Sequence, residues 1–208
     1  MTSKQTPEEL IQEIYVDGVQ SQSGIRSIEE LSLHGEKGID AMIFALEYPP
    51  TTSLSSHDLV DAISEIFWAL ARDNSDHLID AMLEGRLGKT WCYSALGNAT
   101  SERSIDVLIN GLSEQESMLR WLCVEALIQR KHKRTIGPLV ERLKDRSELV
   151  KSSIVTAMKD HEWLRCPDAL PPLQKIRENK SFTKNSPGTW KCAGEVIDLI
   201  SAENVDKK

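Results

Sequence analysis

The sequence contains no apolar run of about 20 residues, the length that a transmembrane helix requires. Its first residues, MTSKQTPEEL, also lack the apolar stretch of a secretory signal peptide. We therefore expect a cytoplasmic protein that has no membrane partner.

Cysteine is scarce, and its spacing fits neither a zinc site nor a disulfide framework. Cys92, Cys123, Cys166 and Cys192 form no Cys-x-x-Cys pair and have no histidine at a ligand spacing. Buried, reduced thiols are therefore the favoured interpretation. The sequence also lacks a Gly-rich phosphate loop and any Ser/His/Asp or Cys/His constellation. We expect no catalytic residues, no metal ligands and no cofactor, and hence a protein that is not an enzyme.

Aromatic residues make up only 5% of the chain, and the net charge is −7. Residues 1–104 hold 17 acidic and 7 basic side chains, a balance of −10, whereas residues 105–208 hold 15 acidic and 18 basic, a balance of +3. This asymmetry either orients a charged partner or reflects ordinary solvated surfaces. The densest basic cluster, RKHKR at 130–134, is either a solvated turn or a contact for an acidic protein. Nucleic acid is not the expected partner, because the net charge is negative and aromatics for base stacking are missing from the cluster.

Strand-like alternation is missing too, and apolar residues recur instead with the 3.6-residue period of a helix. Thr6, Pro7 and Glu9 predict a helix start with a capping box. Further along, the sequence IDAM at 39–42 returns at 79–82 and nearly again as IDVL at 105–108. Offsets of 0, 3, 4 and 7 from each first residue place apolar side chains on one helical stripe. The positions that share this pattern are Ile39, Met42, Ile43 and Leu46; Ile79, Met82 and Leu83, with Arg86 in the fourth place; Ile105, Leu108, Ile109 and Leu112; Ile136, Leu139, Val140 and Leu143; and, more weakly, Ala169, Pro172, Leu173 and Ile176.

A second helix follows each of these first helices. The segments KTWCYSAL (89–96), RWLCVEAL (120–127) and KSSIVTAM (151–158) align without gaps, and each has an alanine at its seventh position. A pair of helices cannot bury both of its apolar faces alone, so neighbouring pairs must stack. The sequence thus predicts an all-α, right-handed solenoid of about five helix pairs with an N-terminal helical cap. We expect a single domain over 1–208, with cap helices in 1–35, repeats in 38–201 and a tail at 202–208.

The second-helix pattern resembles the HEAT-repeat family, in particular the short HEAT-like repeats of phycobilisome lyases. The matching positions are Leu119-Arg120, Val150-Lys151, Ala126-Leu127 and Ala157-Met158, with Glu114 and Asp145 in the preceding turns. The resemblance covers about 38–201, and it implies that the basic residue pairs with the turn acid of its own or the next repeat. Glu114–Arg120 and Asp145–Lys151 fit that role, while phosphate binding by Lys89, Arg120, Lys151 and Lys191 is the alternative. The family includes scaffolds, inhibitors, chaperones and enzymes, so it implies no single function.

In HEAT-like stacks, the side of the second helix that faces away from its partner helix lines the concave surface. Trp121 lies on this side and is either an anchor for a partner or a packing residue against the next repeat. Two polar insertions that contain proline, at 47–57 and 177–189, are either secondary candidates for partner contact or ordinary surface loops. The predicted partner-binding stripe consists of Thr90, Ser94, Trp121, Glu125, Gln129, Ser152 and Lys159.

We therefore expect a non-catalytic scaffold or adaptor that binds another protein, of unknown oligomeric state. The specific hypothesis is a bacterial immunity protein that neutralises a toxin, and it rests on small size, acidity and the lack of catalytic motifs. The alternatives are an enzyme like the HEAT-like alkylpurine DNA glycosylases, which would use Glu125 beside Trp121, and a chaperone like the tetrapyrrole lyases. In the latter, basic residues of the second half would hold an acidic pigment.

Overall fold

The computed structural model describes residues 5–50, 52, 54–179 and 184–205. Within these residues it contains eleven α-helices and no strand. The helices are α1 (Pro7–Asp17), α2 (Gln22–Ser32), α3 (Glu36–Glu47), α4 (Ser56–Leu83), α5 (Lys89–Ala95), α6 (Glu102–Gly111), α7 (Ser117–Arg130), α8 (Ile136–Glu141), α9 (Glu148–Asp160), α10 (Leu170–Glu178) and α11 (Pro187–Val205).

The predicted fold class, an all-α repeat protein built of helix pairs, is confirmed. An N-terminal pair, α1 and α2, precedes five further pairs in chain order, in which α4 contributes to two successive pairs. The chain divides into two compact units, residues 1–107 and 108–208. The prediction that all 208 residues form a single domain therefore stays a prediction.

In the first unit, helices that are close in the sequence pack against one another. The predicted capping box opens α1: the Glu9 amide donates to Thr6 Oγ1 (3.3 Å) and the Thr6 amide donates to Glu9 Oε2 (2.8 Å). α1 packs on α2 and α3, both α2 and α3 pack on α4, and α4 packs on α5. These contacts bury a core that includes Leu10, Ile14, Tyr15, Leu31, Ile39, Met42, Ile66, Phe67, Leu70 and Leu78.

Helix α4 joins the second helix of one pair to the first helix of the next. Its backbone leaves the helical region at Asn74 (φ −124°, ψ 26°), which marks a kink between the two parts. The Asn74 side-chain amide donates to the backbone carbonyl oxygen of Ser32 (3.0 Å), so the kink is held against the end of α2. The second helices of two successive pairs also touch. The Trp91 ring on α5 stacks on buried Phe67 in the first part of α4, with a centroid distance of 5.9 Å. Trp91 thus lies between the second helices of two neighbouring pairs.

In the second unit, the second helices of successive pairs lie side by side. α7 packs on α9, α9 packs on α11, and α10 packs on α11. The small residues that the alignment singled out, Ala126 and Ala157, are buried at these contacts. Close approach of neighbouring helices at alanine explains why this position is small in each repeat.

The start of α2 has a clear local cause, and one other boundary differs from the sequence prediction. α2 begins at Gln22, because Ser21 Oγ accepts a hydrogen bond from the Gly24 amide (2.9 Å) and caps the helix there. α11 runs to Val205, beyond the predicted end of the repeats at 201. The insertion 47–57 overlaps both the end of α3 at Glu47 and the start of α4 at Ser56. Residues 51, 53 and 180–183 of the two insertions lie outside the described residues, as do 206–208 of the predicted tail.

The apolar stripe is buried as predicted in most repeats, with one clear exception. Leu83 was expected in the core, yet it is 67% exposed at the end of α4. Ile43, at the equivalent position of α3, is only half-buried. The first unit therefore covers this side of its first helices incompletely.

A buried ion pair connects two successive repeats of the second unit. Arg120 Nε and Nη2 each donate to the Asp145 carboxylate at 2.8 Å, and both side chains are less than 5% exposed. Arg120 Nη1 donates in addition to the backbone carbonyl oxygens of Glu114 (2.9 Å) and Gln115 (2.8 Å). Arg120 thus binds the turn acid of the next repeat, and its contact with Glu114 runs through the backbone. A bidentate pair with these extra acceptors satisfies the guanidinium while it is buried.

We predict that Asp145→Asn lowers the free energy of unfolding by about 3 kcal/mol, because it leaves a buried guanidinium without its counter-charge. Urea denaturation followed by circular dichroism measures the change. The matched control is Glu141→Gln, which removes the exposed Glu141–Lys144 pair of the same unit and should change stability little. Equal effects of the two substitutions would contradict the structural importance of the buried pair.

The same pair predicts a pH dependence of stability. Burial raises the pKa of Asp145, but the Arg120 hydrogen bond, the Ser147 amide and the charges of Arg120 and Arg142 lower this pKa by more, so the net shift is downward. Because the folded pKa lies below the unfolded value of about 3.9, the stabilisation is complete well above the unfolded value and is lost as the pH falls below it and through the folded pKa. Urea denaturation between pH 7 and pH 3 should show a steeper loss for the wild type than for Asp145→Asn. Parallel curves would contradict the lowered pKa.

Candidate functional site

The seven predicted partner-binding residues are distributed over both units. Thr90 and Ser94 lie on α5 in the first unit, where Thr90 is exposed and Ser94 is half-buried. Trp121, Glu125 and Gln129 lie on α7 of the second unit, and Ser152 and Lys159 lie on α9. The first unit adds a residue that the prediction missed: Trp68 Nε1 donates to the Ser94 carbonyl oxygen (3.1 Å), and its ring is 38% exposed beside it.

A polar cavity of about 330 Å³ lies between α7 and α9, and we call it the α7/α9 cavity. Two predicted residues, Glu125 and Ser152, line it together. The other described residues that line it are Ile128, Ser153, Thr156, Ala157, Asp160 and His161. The α7/α9 cavity thus combines two carboxylates, three hydroxyls and an imidazole, and its described lining includes no Lys or Arg.

Hydrogen bonds orient two hydroxyls of the α7/α9 cavity differently: Ser152 keeps its lone pairs free, whereas Ser153 accepts from Trp121 and keeps its own O–H. Trp121 Nε1 donates to Ser153 Oγ (2.9 Å), which also joins α7 to α9. Ser152 Oγ donates its proton to the Leu149 carbonyl oxygen (3.0 Å), so that its lone pairs remain for another donor. Trp121 is therefore a half-buried residue that packs on the next repeat, and the cavity, rather than its ring, offers the polar contacts.

Lys159 does not line the α7/α9 cavity, although the sequence prediction placed it on the same stripe. Its Nζ lies 2.8 Å from Glu195 Oε2 on α11. The hydrogen bond and the charge of Glu195 raise the pKa of Lys159, and Lys159 in turn lowers the pKa of Glu195. Lys159 therefore bridges α9 to α11.

The prediction missed four polar residues of the cavity, and a signal in the sequence could have found two of them. Thr156 and Asp160 follow Glu125 and Gln129 by 31 residues, the same spacing that separates Arg120 from Lys151. Applying this spacing to the whole stripe would have placed Asp160, and not Lys159, beside the predicted residues. Ser153 and His161 carry no such signal, because their orientation depends on how α9 packs and ends.

Local hydrogen bonds hold the turn after α7 and the arginines beyond it. His132 Nδ1 accepts from the Arg134 amide (3.2 Å), and Thr135 Oγ1 donates to the His132 carbonyl oxygen (2.7 Å). Further along, Arg142 donates to the Leu112 carbonyl oxygen, and Arg146 donates to that of Gln115. A cavity of about 410 Å³ that these arginines line with Arg120 and Asp145 belongs to the buried ion pair. These contacts favour the turn interpretation of 130–134, and binding of an acidic protein there stays a prediction.

Two of the four thiols are buried as expected. Cys92 and Cys123 are buried, whereas Cys166 and Cys192 are only half-buried, so the prediction is wrong for this second pair. Burial raises the pKa of the Cys92 thiol to about 12, which keeps it protonated and unreactive. Over the described residues, no group of three or more His, Cys, Asp and Glu side chains is arranged to hold a metal ion. No described helix combines the length and apolar character that spanning a membrane requires.

Comparison with known proteins identifies a repeat family but no close relative. Residues 105–184 match the family of HEAT repeats. No curated protein matches the chain. Similar solved structures include a computationally designed armadillo repeat protein for modular peptide recognition, at 17% identity over 93% of this chain and 99% of that chain, with a TM-score of 0.45. Another is a designed armadillo repeat protein in complex with the peptide (KR)4, at 16% identity over 91% of this chain and 98% of that chain, with a TM-score of 0.40. At these TM-scores the likeness carries no statement about function.

We predict that Trp121 and Ser153 are energetically coupled, because their hydrogen bond joins neighbouring repeats. In a double-mutant cycle with Trp121→Phe and Ser153→Ala, the coupling energy in urea denaturation should be about 1 kcal/mol. The matched control pairs Trp121→Phe with Ser201→Ala, because Ser201 Oγ bonds only within its own helix, to the Ile197 carbonyl oxygen. No coupling in the first cycle would show that Trp121 does not hold α9.

Proposed function

Because residues 105–184 belong to the HEAT-repeat family, we propose that the second unit is a non-catalytic module that binds another protein. The α7/α9 cavity receives a Lys or Arg side chain of that protein, and the exposed residues around it contact the adjoining segment. The observation that carries this proposal is the accumulation of hydrogen-bond acceptors in the cavity.

The chemistry of the cavity favours a cationic side chain. Glu125 and Asp160 present carboxylates to the same space, and the hydroxyl of Ser152 presents an acceptor oxygen because its proton is engaged by the Leu149 carbonyl. A guanidinium or ammonium group supplies several donors and the complementary charge, and such charge-assisted hydrogen bonds are about twice as strong as neutral ones. The volume of about 330 Å³ leaves room for the end of a long side chain.

The packing of α7 on α9 supports a preformed surface. The bonds from Trp121 to Ser153 and from Arg120 to Asp145 both connect the two repeats on either side of the cavity. A surface that is already ordered loses less conformational entropy on binding. In a stacked repeat, moreover, the exposed positions can differ from repeat to repeat without affecting the core.

The two alternatives from the sequence analysis find less support in the cavity. A DNA glycosylase that uses Glu125 needs a basic channel to hold phosphates, yet Glu125 shares its cavity with Asp160, and the described lining has no Lys or Arg. A chaperone for an acidic tetrapyrrole meets the same repulsion. We therefore retain protein binding as the function.

As the more specific form of this function, we propose a bacterial immunity protein whose bound partner is a basic toxin. The net charge of −7 and the two carboxylates of the α7/α9 cavity support this choice. Complementary charge accelerates association and stabilises such complexes. The distinguishing test is growth: co-expression of this chain should protect a sensitive host from the toxin that it binds.

We predict that a photocrosslinker at the edge of the cavity captures this partner. Gln129 is exposed on α7 one turn beyond Glu125 and outside the cavity lining, so replacing it with p-benzoylphenylalanine leaves the cavity open. Irradiation in native cells should give a protein adduct. Adding Glu125→Lys and Asp160→Lys should abolish this adduct, because two positive charges repel the bound cation, while the helical circular dichroism stays unchanged.

The matched control carries the crosslinker at exposed Gln174 on α10, and it should not give the same adduct. An adduct that persists after the charge reversal would contradict binding of a cationic side chain. Adducts with nucleic acid instead of protein would contradict the proposed function itself.

A further inference from the structure

A second surface, in the first unit, exposes large apolar side chains that no described helix covers. Phe44 and Tyr48 are each 59% exposed, and their ring centroids lie 4.9 Å apart. They lie four residues apart on α3 and just after its end, so they share one side of the helix. Clustered aromatic exposure of this kind typically marks an interaction site.

Phe44 lines a groove of about 660 Å³, which we call the α3 groove, and the Tyr48 ring lies against that of Phe44. Ile43, Phe44 and Leu46 supply its apolar lining, and Asp40 and Glu47 supply carboxylates from the same helix. Gly85 and Arg86, in the turn after α4, form the opposite wall. Exposed Leu83 directly precedes this turn.

Arg86 fixes the turn against α3. Its Nη1 lies 2.7 Å from Asp40 Oδ1, and its Nε lies 2.8 Å from Glu84 Oε2. The turn itself requires glycine, since Gly85 has φ +76°, a conformation that residues with a Cβ rarely adopt. The α3 groove is therefore a shaped feature with two fixed walls.

The repeat pattern explains why this exposure is unusual. At this stripe position Leu83 is 67% exposed, whereas Val140 of α8 is buried, and Ile43 of α3 and Ile109 of α6 are half-buried. Arg86 takes the place of the last apolar residue of the stripe, and its charged end holds the turn. In the first unit, apolar residues that stacking would normally cover thus remain open to a partner.

The charges around the groove select the kind of partner. Asp40, Glu47 and Glu84 carry three negative charges, and Arg86 carries one positive charge that Asp40 and Glu84 already neutralise. Residues 1–104 as a whole have a balance of −10. We propose that the α3 groove docks a segment of a partner protein that presents a bulky apolar side chain next to a Lys or Arg. The apolar side chain packs on Phe44 and Tyr48, and the basic residue meets Glu47.

The test is selection of random 12-residue peptides displayed on phage against the full-length chain. The bait carries Glu125→Gln and Asp160→Asn, which remove both carboxylates of the α7/α9 cavity without adding a basic site, so that the two sites are tested separately. Enriched peptides should combine a large apolar residue with Lys or Arg. Measured with synthetic peptides by fluorescence polarisation, their affinity should fall about tenfold or more in Phe44→Ser, Tyr48→Ser. It should also fall several-fold in Glu47→Lys.

Val16→Ser is the matched control, because Val16 is 54% exposed on α1 and does not line the groove, and it should leave the affinity unchanged. Peptides that bind equally well to the Phe44→Ser, Tyr48→Ser variant would overturn the proposal, as would enrichment of acidic peptides or of none. Sedimentation that shows a wild-type dimer, dissociated by the same double substitution, would assign the groove to a second copy of the chain and would also overturn it.

Discussion

The buried pair of Arg120 and Asp145 is the interaction on which the arrangement of the second unit depends. Arg120 opens the second helix of one repeat, Asp145 belongs to the turn of the next, and their two hydrogen bonds at 2.8 Å connect the repeats. Both charges are shielded from water, so a shift that breaks either hydrogen bond leaves a buried charge uncompensated. The two side chains can therefore occupy only a narrow range of relative positions. The pair therefore places α9 beside α7, and this placement brings Trp121 to Ser153 and creates the α7/α9 cavity.

The two candidate surfaces differ in chemistry because each arises from a different part of the repeat pattern. In the second unit, the second helices bury their apolar side against neighbours, and their outward positions carry hydroxyls and carboxylates around a cavity. In the first unit, neighbouring helices cover the apolar stripes of α3 and α4 incompletely. Leu83 of that stripe is exposed, and so are Phe44 and Tyr48 beside it. One surface thus offers hydrogen-bond acceptors to a cation, and the other offers apolar area with a charged edge.

The stripe of candidate residues was predicted from the sequence, but the contacts that each side chain makes were not. Trp121 was either a partner anchor or a packing residue, and its hydrogen bond to Ser153 makes it a link between repeats. Lys159 was placed on the stripe, yet the ion pair with Glu195 directs it to α11. The 31-residue repeat spacing instead places Asp160 at the position that corresponds to Gln129. A difference of one residue rotates a side chain by about 100° around a helix, which is enough to move it from one neighbour to another.

The amino-acid sequence by itself determined the helix pairs, the capping box at Thr6 and the small alanines at the helix contacts. These features follow from local periodicity and from contacts a few residues apart, so any chain with this pattern forms them. Only the tertiary structure decided that Arg120 binds Asp145, that Leu83 stays exposed and that the α7/α9 cavity is lined by acceptors. Each of these depends on how helices distant in the sequence are placed, and the period of a single helix does not contain that information.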